Sequence, residues 1–344
     1  MNKNGHTTIG QDTPDPTDQW DGRTRLADKV LEGDAREVID FLEADSIALS
    51  VWSPPYFVGK SYEKDMSYDD WLTLLRVVIQ KHHRVLKPGA FLAINIADIL
   101  CFPDSRLPRI QAETLGGNRL SVTREDVIKV WSQHPNSNRY QIAALLGVSE
   151  QTVDRRMKNN NVRGGKYAPQ TRVKIVGGLL EEAAYDVGLY LYDRRVWVKD
   201  PAWENSRWHT NSYRAVDEFE YIYLFWKPGI TKVKRDRLSR KEWVEWGSRA
   251  VWQIPSVRAN DDHEAKFPVE LPRRLIRLLT SPGDTILDCF LGSGTTAVAA
   301  IETGRHFIGI EKSPAYVCLA RKAICAARMK RTSQQGSLFA GSEP

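Results

Sequence analysis

The chain has 344 residues, enough for one large domain or two ordinary ones, and 42% of them are hydrophobic, which suits a substantial core. No run approaches the roughly 20 consecutive apolar residues of a membrane-spanning helix. Met1 to Gln19 is polar, so it does not read as a secretion signal. Cys101, Cys289, Cys318 and Cys325 lack CxxC spacing or a histidine cluster and read as buried small residues in a reducing cytosol, with neither a disulfide framework nor a metal site. The formal net charge of +6 gives a mild bias toward polyanions.

Residues 1–20 and roughly 331–344 are polar and are expected to be disordered tails. Between them strand-like and helix-like segments alternate, so the expected class is α/β, a doubly wound sheet covered by helices. Ser46 to Trp52 reads as a buried strand running into Ser53-Pro54-Pro55-Tyr56, where neither proline can donate to a sheet ladder. Asp69 to Val85 has the periodicity of an amphipathic helix, halted by Lys87-Pro88-Gly89. His82 and His83 stand near its C-terminus, where a cation is favourable. Ala90 to Ile96 follows as an apolar strand.

From about Arg106 to Gln170 the texture becomes more polar, with Gly116-Gly117 and Gly164-Gly165 near the ends. Inside this stretch Thr123 to His134 is predicted helical, with Thr123 as N-cap. Arg139 to Met157 has the pattern of a helix-turn-helix. Ala143 is small where two helices cross, and Gly147 permits a positive φ in the turn. Ile142, Leu146, Val148 and Val153 fill the core. Ser149 caps a second helix that carries Gln151, Thr152, Arg155 and Arg156 outward, where they could meet a major groove. The plainer alternative is a helical insertion with no DNA contact.

Leu189 to Val198 and Phe219 to Trp226 read as strands. The segment Lys227 to Arg249 then gathers basic residues, among them Lys232, Lys234, Arg235, Arg237 and Arg240, with Trp226, Trp243 and Trp246 interleaved. Such a stretch suits either a solvated basic loop or a surface that neutralises phosphates and contacts bases. Phe267 to Leu279 is expected to be a helix before the last sheet units.

The strongest ligand signal runs from Thr285 to Ala297. An apolar strand ends at Asp288, passes Phe290, and enters a turn of Gly292, Ser293 and Gly294 before a helix opens at Thr295. Glycines there let a ligand approach the backbone closely. Arg305 to Ile310 forms a second strand that ends in Glu311, roughly 20 residues beyond the turn, the spacing of a carboxylate that grips ribose hydroxyls. Ser313-Pro314 starts the next helix as N-cap and first-turn proline. A Gly-x-Gly turn also fits a dinucleotide, but a carboxylate at Asp288 would repel a pyrophosphate. Near a sulfonium and an ammonium its charge is favourable, so the segment looks like a loop for S-adenosyl-L-methionine.

Ser53-Pro54-Pro55-Tyr56 sits at a comparable strand end, and in open α/β sheets ligands bind beyond such ends. An exocyclic base amine is a poor nucleophile because its lone pair is delocalised into the ring. Acceptors held rigidly at the Ser53 hydroxyl and the Pro54 carbonyl would favour a pyramidal nitrogen. Tyr56 offers a face for a base turned out of the duplex.

Together these motifs resemble the amino-methyltransferases of bacterial and phage DNA, over roughly Ala27 to Ala326. The order, Ser53-Pro54-Pro55-Tyr56 first and the Asp288 loop last, is similar to that of their permuted beta group. Gly33-Asp34 resembles the segment whose acidic residue approaches the cofactor adenine. The run from His263 to Pro272, including Phe267, resembles the element that encloses the methionine part. The resemblance implies a Rossmann-like sheet, S-adenosyl-L-methionine as cofactor, double-stranded DNA as partner, a bacterial or phage cytoplasm as setting, and a possible separate restriction endonuclease acting on the same site. A serine at the head of the corner resembles the cytosine-N4 enzymes, whereas adenine-N6 enzymes more often begin it with Asp or Asn. By position, the basic stretch is the candidate for target recognition, and the helical insertion competes with it.

The organisation expected is a catalytic half at 21–105 and 171–226, interrupted by the insertion at 106–170. A recognition region at 227–262 and a cofactor-binding half at 263–330 follow. The rival reading from another class is a DNA-binding regulator in which the helix-turn-helix acts and the sheet is inert.

Overall fold

The computed structural model describes residues 26–57, 66–104, 106–107, 122–158, 171–201, 215, 217–257 and 267–340. In chain order the elements are β1 (Lys29–Glu32), α1 (Ala35–Val38), β2 (Ile47–Trp52), α2 (Tyr68–Val85), β3 (Leu86–Ile96), β4 (Ile99–Pro103), α3 (Arg124–Gln133), α4 (Arg139–Leu145), α5 (Glu150–Met157) and β5 (Thr171–Lys174). There follow α6 (Gly177–Tyr185), β6 (Tyr190–Val198), β7 (Phe219–Trp226), α7 (Arg240–Glu242), β8 (Val251–Gln253), α8 (Glu270–Leu279), β9 (Thr285–Asp288), α9 (Thr295–Glu302), β10 (His306–Glu311) and α10 (Pro314–Ala340). The expected tail 1–20 and Gly116-Gly117, Gly164-Gly165 and His263 to Lys266 lie outside the described residues.

Eight strands form one sheet in the order β1-β10-β9-β2-β3-β7-β6-β8. The first five run parallel, while β7 is antiparallel to both β3 and β6. Side chains alternate across it. Leu92, Ile94 and Ile96 of β3 join Tyr223 and Phe225 of β7 in the core under α1, α2 and α6. Phe91 and Ala93 join Ile222 and Leu224 in the opposite core, under α8, α9 and α10. That period of two, with both faces apolar, is why these strands read as nearly continuous hydrophobic runs. Trp71 of α2 is fully buried, worth about 2–3 kcal/mol of apolar burial.

The chain winds from β9 to β10 in one direction and from β2 to β3 in the other. Strand order therefore reverses between β9 and β2, and the crevice beyond their C-terminal ends is where such folds take ligands. Among the described residues no helix is long and apolar enough to cross a membrane.

Several local expectations change. Strand β3 already begins at Leu86, so Pro88 and Gly89 lie within it. The register against β2 shifts between Ile47 and Leu49, accommodating them as a bulge. Helix α8 starts at Glu270, three residues later than expected, with Pro272 tolerated in its first turn. Residues 331–340, expected as tail, continue α10, because no proline stops that helix and Arg331 donates to the Ile301 carbonyl at 2.8 Å. Cys289 is buried as expected, but Cys318 and Cys325 lie on the exposed side of α10.

Residues 124–157 form a unit with its own small core of Val127, Ile142, Ala143 and Val153, with Leu146 and Val148 packed beside it. Thr123 caps α3, Asn138 caps α4 and Ser149 caps α5, each through its side-chain oxygen. Gly147 takes φ +64° in the turn between α4 and α5. The helix-turn-helix pattern is thus met element by element. The antiparallel pair β4–β5 links this unit to the sheet.

Candidate active site

The C-terminal ends of β1, β10, β9, β2 and β3, with the start of antiparallel β7, build the site. Strand β10 ends at Glu311, paired in register with Glu32 of β1, and Gly33 donates to the Glu311 carbonyl at 3.0 Å. Asp34 follows at once as the N-cap of α1, held by the Arg36 amide and guanidinium and by Lys312 at 3.3 Å. The Arg36 hydrogen bonds keep its carboxyl far below the usual range, against the opposing effect of partial burial. Glu311 braces two backbones, accepting from the Gly292 amide through Oε2 and from the Ser313 amide through Oε1, both at 2.8 Å. Asp34, Glu311 and the glycine turn therefore meet along one line at the sheet edge.

The turn after β9 is built by backbone conformation. Gly292 has φ +55° and Gly294 φ +93°, a region in which side chains are strained. A Cβ on Gly294 would also stand 3.0 Å from Ala320 of α10. Asp288 Oδ1 accepts from the Phe290 amide at 3.0 Å, but Oδ2 is buried with no hydrogen-bond partner. Burial, with some repulsion from Glu311, pushes this carboxyl up to about 7. A buried carboxyl with one oxygen left unpartnered beside a glycine turn fits a cationic ligand. Ser293 and Thr295 are buried in the turn, and Phe290 packs edge-on against Trp52 at 5.3 Å between centroids. Phe267 lies half-buried against the core beneath α8 and α9.

On the other side of the crevice, Ser53 to Tyr56 turns directly out of β2. The Trp71 indole donates to the Pro55 carbonyl at 2.7 Å, and Phe57 takes φ +55°, an uncommon conformation for a side-chain residue. The Tyr56 hydroxyl donates to Glu220 Oε2 at 2.6 Å and accepts from Asn95 Nδ2 at 2.7 Å. Ser53 Oγ lies 2.7 Å from that hydroxyl oxygen and 3.0 Å from the Asn95 carbonyl, either of which can accept its hydrogen bond. Asn95 Nδ2 also donates to Glu220 at 2.6 Å, while Asn95 Oδ1 is buried without a partner. Lys199 closes the network on Glu220 at 2.8 Å and Asp217 at 3.0 Å. Burial and the neighbouring Glu220 carboxylate hold the Tyr56 phenol protonated. Burial opposes the Lys199 charge, but the two carboxylates hold its ammonium above its usual range.

Sequence reasoning missed Asn95, Glu220 and Lys199. A polar residue inside the apolar run Ala90 to Ile96, and a glutamate second in Phe219 to Trp226, were the available signals. His82 also departs from expectation. It is buried beneath the corner, its Nδ1 2.6 Å from the Val78 carbonyl and its Nε2 facing Ser50 Oγ at 2.9 Å and the Trp52 indole at 3.2 Å. Burial lowers its pKa to about 4, so it is neutral and not a helix-end cation.

The basic stretch lies elsewhere. Since β7 runs antiparallel to β3, Tyr221 is opposite Ile96 at the catalytic edge and Trp226 opposite Phe91 toward the other. Lys227 leaves at that far edge, donating to the Leu86 carbonyl and pairing with Asp45, each at 2.7 Å. Thr231 donates to the Gly89 carbonyl, and Arg237 turns inward onto the Leu278 carbonyl at 3.3 Å and Ser281 at 3.4 Å. Lys232, Lys234 and Arg240 are exposed, and Arg235 lies in the same segment. This segment starts about 20 Å, one strand length, from the corner. Of the tryptophans there, Trp246 and Trp252 are buried, with Arg274 5.5 Å over each ring, Trp226 is partly covered and donates to Thr231 at 2.9 Å, and Trp243 is exposed. In the insertion, Gln151 and Arg155 are exposed on α5, whereas Thr152 and Arg156 are partly covered.

A sheet of this order with two facing motifs at its reversal point defines a Rossmann-like methyltransferase domain. The N6/N4 DNA methylase family matches residues 47–322, and the chain belongs to it. As a member it is a DNA methyltransferase that takes its methyl group from S-adenosyl-L-methionine. The chain is 60% identical to the Type II methyltransferase M.BglI of Bacillus subtilis over 293 residues, 85% of this chain and 84% of that one. It shares its fold with a putative DNA modification methylase of Thermus thermophilus in complex with S-adenosyl-L-methionine, with TM-score 0.57 and 24% identity over 87% and 93% of the two chains. The PvuII cytosine-N4-specific DNA methyltransferase is similar in fold at TM-score 0.57 and 17% identity, over 86% and 85%.

Proposed function

We propose that the protein methylates the exocyclic N4 amine of a cytosine flipped out of duplex DNA. The observation that carries this reading is the meeting of the Asp288–Thr295 turn and the Ser53–Tyr56 corner at the ends of neighbouring strands, β9 and β2. Asp34 takes the adenine side of the cofactor, Glu311 the ribose, and Asp288 the charged methionine end. Phe267, Phe290, Gly292, Ser293, Gly294 and Thr295 line it. The cofactor supplies an electrophilic methyl group on sulfur.

The protein's own work is to aim the nitrogen. With its O–H donating to the Asn95 carbonyl or to the Tyr56 oxygen, Ser53 Oγ offers lone pairs to an amine N–H. The Pro54 carbonyl and the unpartnered Asn95 Oδ1 are further acceptors at the same corner. Such preorganised acceptors stabilise positive charge developing on nitrogen as it attacks. The Tyr56 ring, fixed through its hydroxyl by Glu220, receives the flipped base. A serine rather than Asp or Asn at the corner supports cytosine over adenine. The test is labelled methyl transfer to mixed-sequence duplex DNA, RNA and protein, with Ser53→Ala as control. Incorporation into duplex DNA that falls sharply in the variant is expected. Cofactor binding without transfer to any DNA would overturn the proposal.

A further inference from the structure

We propose that the insertion carrying α3, α4 and α5 is the module that reads DNA sequence, with α5 entering the major groove. This rests on the reading of the protein as a duplex-DNA methyltransferase. Among the described residues, the insertion adds nothing to the cores of the sheet. Its buried residues pack on one another, so its folding is organised for something outside the domain.

The geometry is that of a helix-turn-helix. The Val148 amide donates to the Ala143 carbonyl at 2.9 Å, Gly147 turns the chain with a positive φ, and Ser149 caps α5. Acidic residues on α5 would repel phosphates, but both are neutralised within the unit. Arg139 pairs with Glu150 at 3.4 Å and Asp154 at 2.6 Å, and Lys158 pairs with Asp154 at 2.8 Å. Gln151 and Arg155, one helical turn apart and exposed, are left on the outward face, and among the described residues Arg155 has no partner. Amide and guanidinium groups are the side chains that bond bidentately to adenine and guanine edges.

Placement separates this module from the basic stretch. Strand β4 starts just after β3 ends, and Asp98 Oδ1 accepts from the Val176 amide at 2.8 Å, closing the base of the β4–β5 stem. The insertion therefore springs from the edge that carries Ser53 and Asp288, whereas Lys232 and Lys234 lie at the other. A duplex that presents a flipped base to the corner passes the root of the stem.

The experiment compares the wild type, Gln151→Ala/Arg155→Ala and Lys232→Ala/Lys234→Ala, all at exposed positions, after circular dichroism confirms folding. Sites methylated in mixed-sequence DNA are mapped by sequencing, and KM for DNA and Kd for S-adenosyl-L-methionine are measured. The α5 variant should lose roughly 10- to 100-fold discrimination between the mapped site and single-base mismatches, with cofactor Kd unchanged. The far-edge variant should keep the wild-type consensus. An α5 variant with wild-type consensus and KM would overturn the proposal, as would a consensus relaxed only by the far-edge changes. A wild type that methylates no DNA would instead overturn the function on which it rests.

Discussion

The Tyr56 hydroxyl stands 2.6 Å from Glu220 Oε2, which ties the corner after β2 to the start of β7 across 164 residues of sequence. The same carboxylate oxygen accepts a hydrogen bond from the Asn95 side-chain amide, and Lys199 balances its charge. Glu220 thus fixes the corner from behind and acts through Tyr56 and Asn95. Glu220→Gln, nearly isosteric, is expected to lower kcat on the order of 10²-fold through small misplacement of the corner. Cofactor Kd should stay within experimental error by calorimetry. An equal loss of both would mean that the residue only supports the fold.

Tyr56 separates ring from hydroxyl. Tyr56→Phe retains the stacking face and loses the bond to Glu220, whereas Tyr56→Ala loses both. Base–aromatic stacking is worth about 1–3 kcal/mol, so the alanine variant should lose a further 5- to 150-fold or so in turnover relative to phenylalanine. Single-turnover kinetics at saturating cofactor measures this. Equal rates for the two variants would remove the stacking role.

Asp288 gives a pH dependence with a definite sign. Burial pushes its carboxyl up to about 7, and a bound cation would pull it down, so binding releases a proton. Affinity for S-adenosyl-L-methionine should strengthen as pH rises toward 7 and level above it, and Asp288→Asn should bind weakly without that slope. In the cofactor-free protein the sign reverses. The raised value contributes stability that is fully present below the ordinary carboxylate range and lost as pH rises through about 7. Titration calorimetry and thermal melts across pH 5–9 would show the two opposite trends.

Gly294 combines φ +93° with close approach to Ala320. Gly294→Ala is expected to cost about 1–3 kcal/mol of stability, read as a lowered Tm, because the backbone strain cannot be relieved while α10 stays packed. Cofactor affinity should fall with it.

What could be read from the sequence was what local chemistry encodes. In the insertion, Thr123 and Ser149 as caps and Gly147 in the turn marked the helices, and the crevice motifs followed from strands that end in prolines or glycines. The hydrogen-bond network behind the corner was hidden because it is made by pairing across the sheet. Nothing near Glu220 in the chain reveals that antiparallel β7 brings it beside Asn95. The same reversal of direction sends Lys232 and Lys234 to the far edge, although composition alone made them attractive for DNA. His82 resembled a helix-end cation until packing buried it beneath Trp52.

The central claim is amine methylation of cytosine at the Ser53 corner. Duplex DNA methylated by the protein with labelled S-adenosyl-L-methionine, digested to nucleosides and resolved by mass, tests it most directly. The account predicts N4-methylcytosine as the labelled product. N6-methyladenine in its place would contradict it, leaving the DNA methyltransferase intact but removing the inference from serine to cytosine.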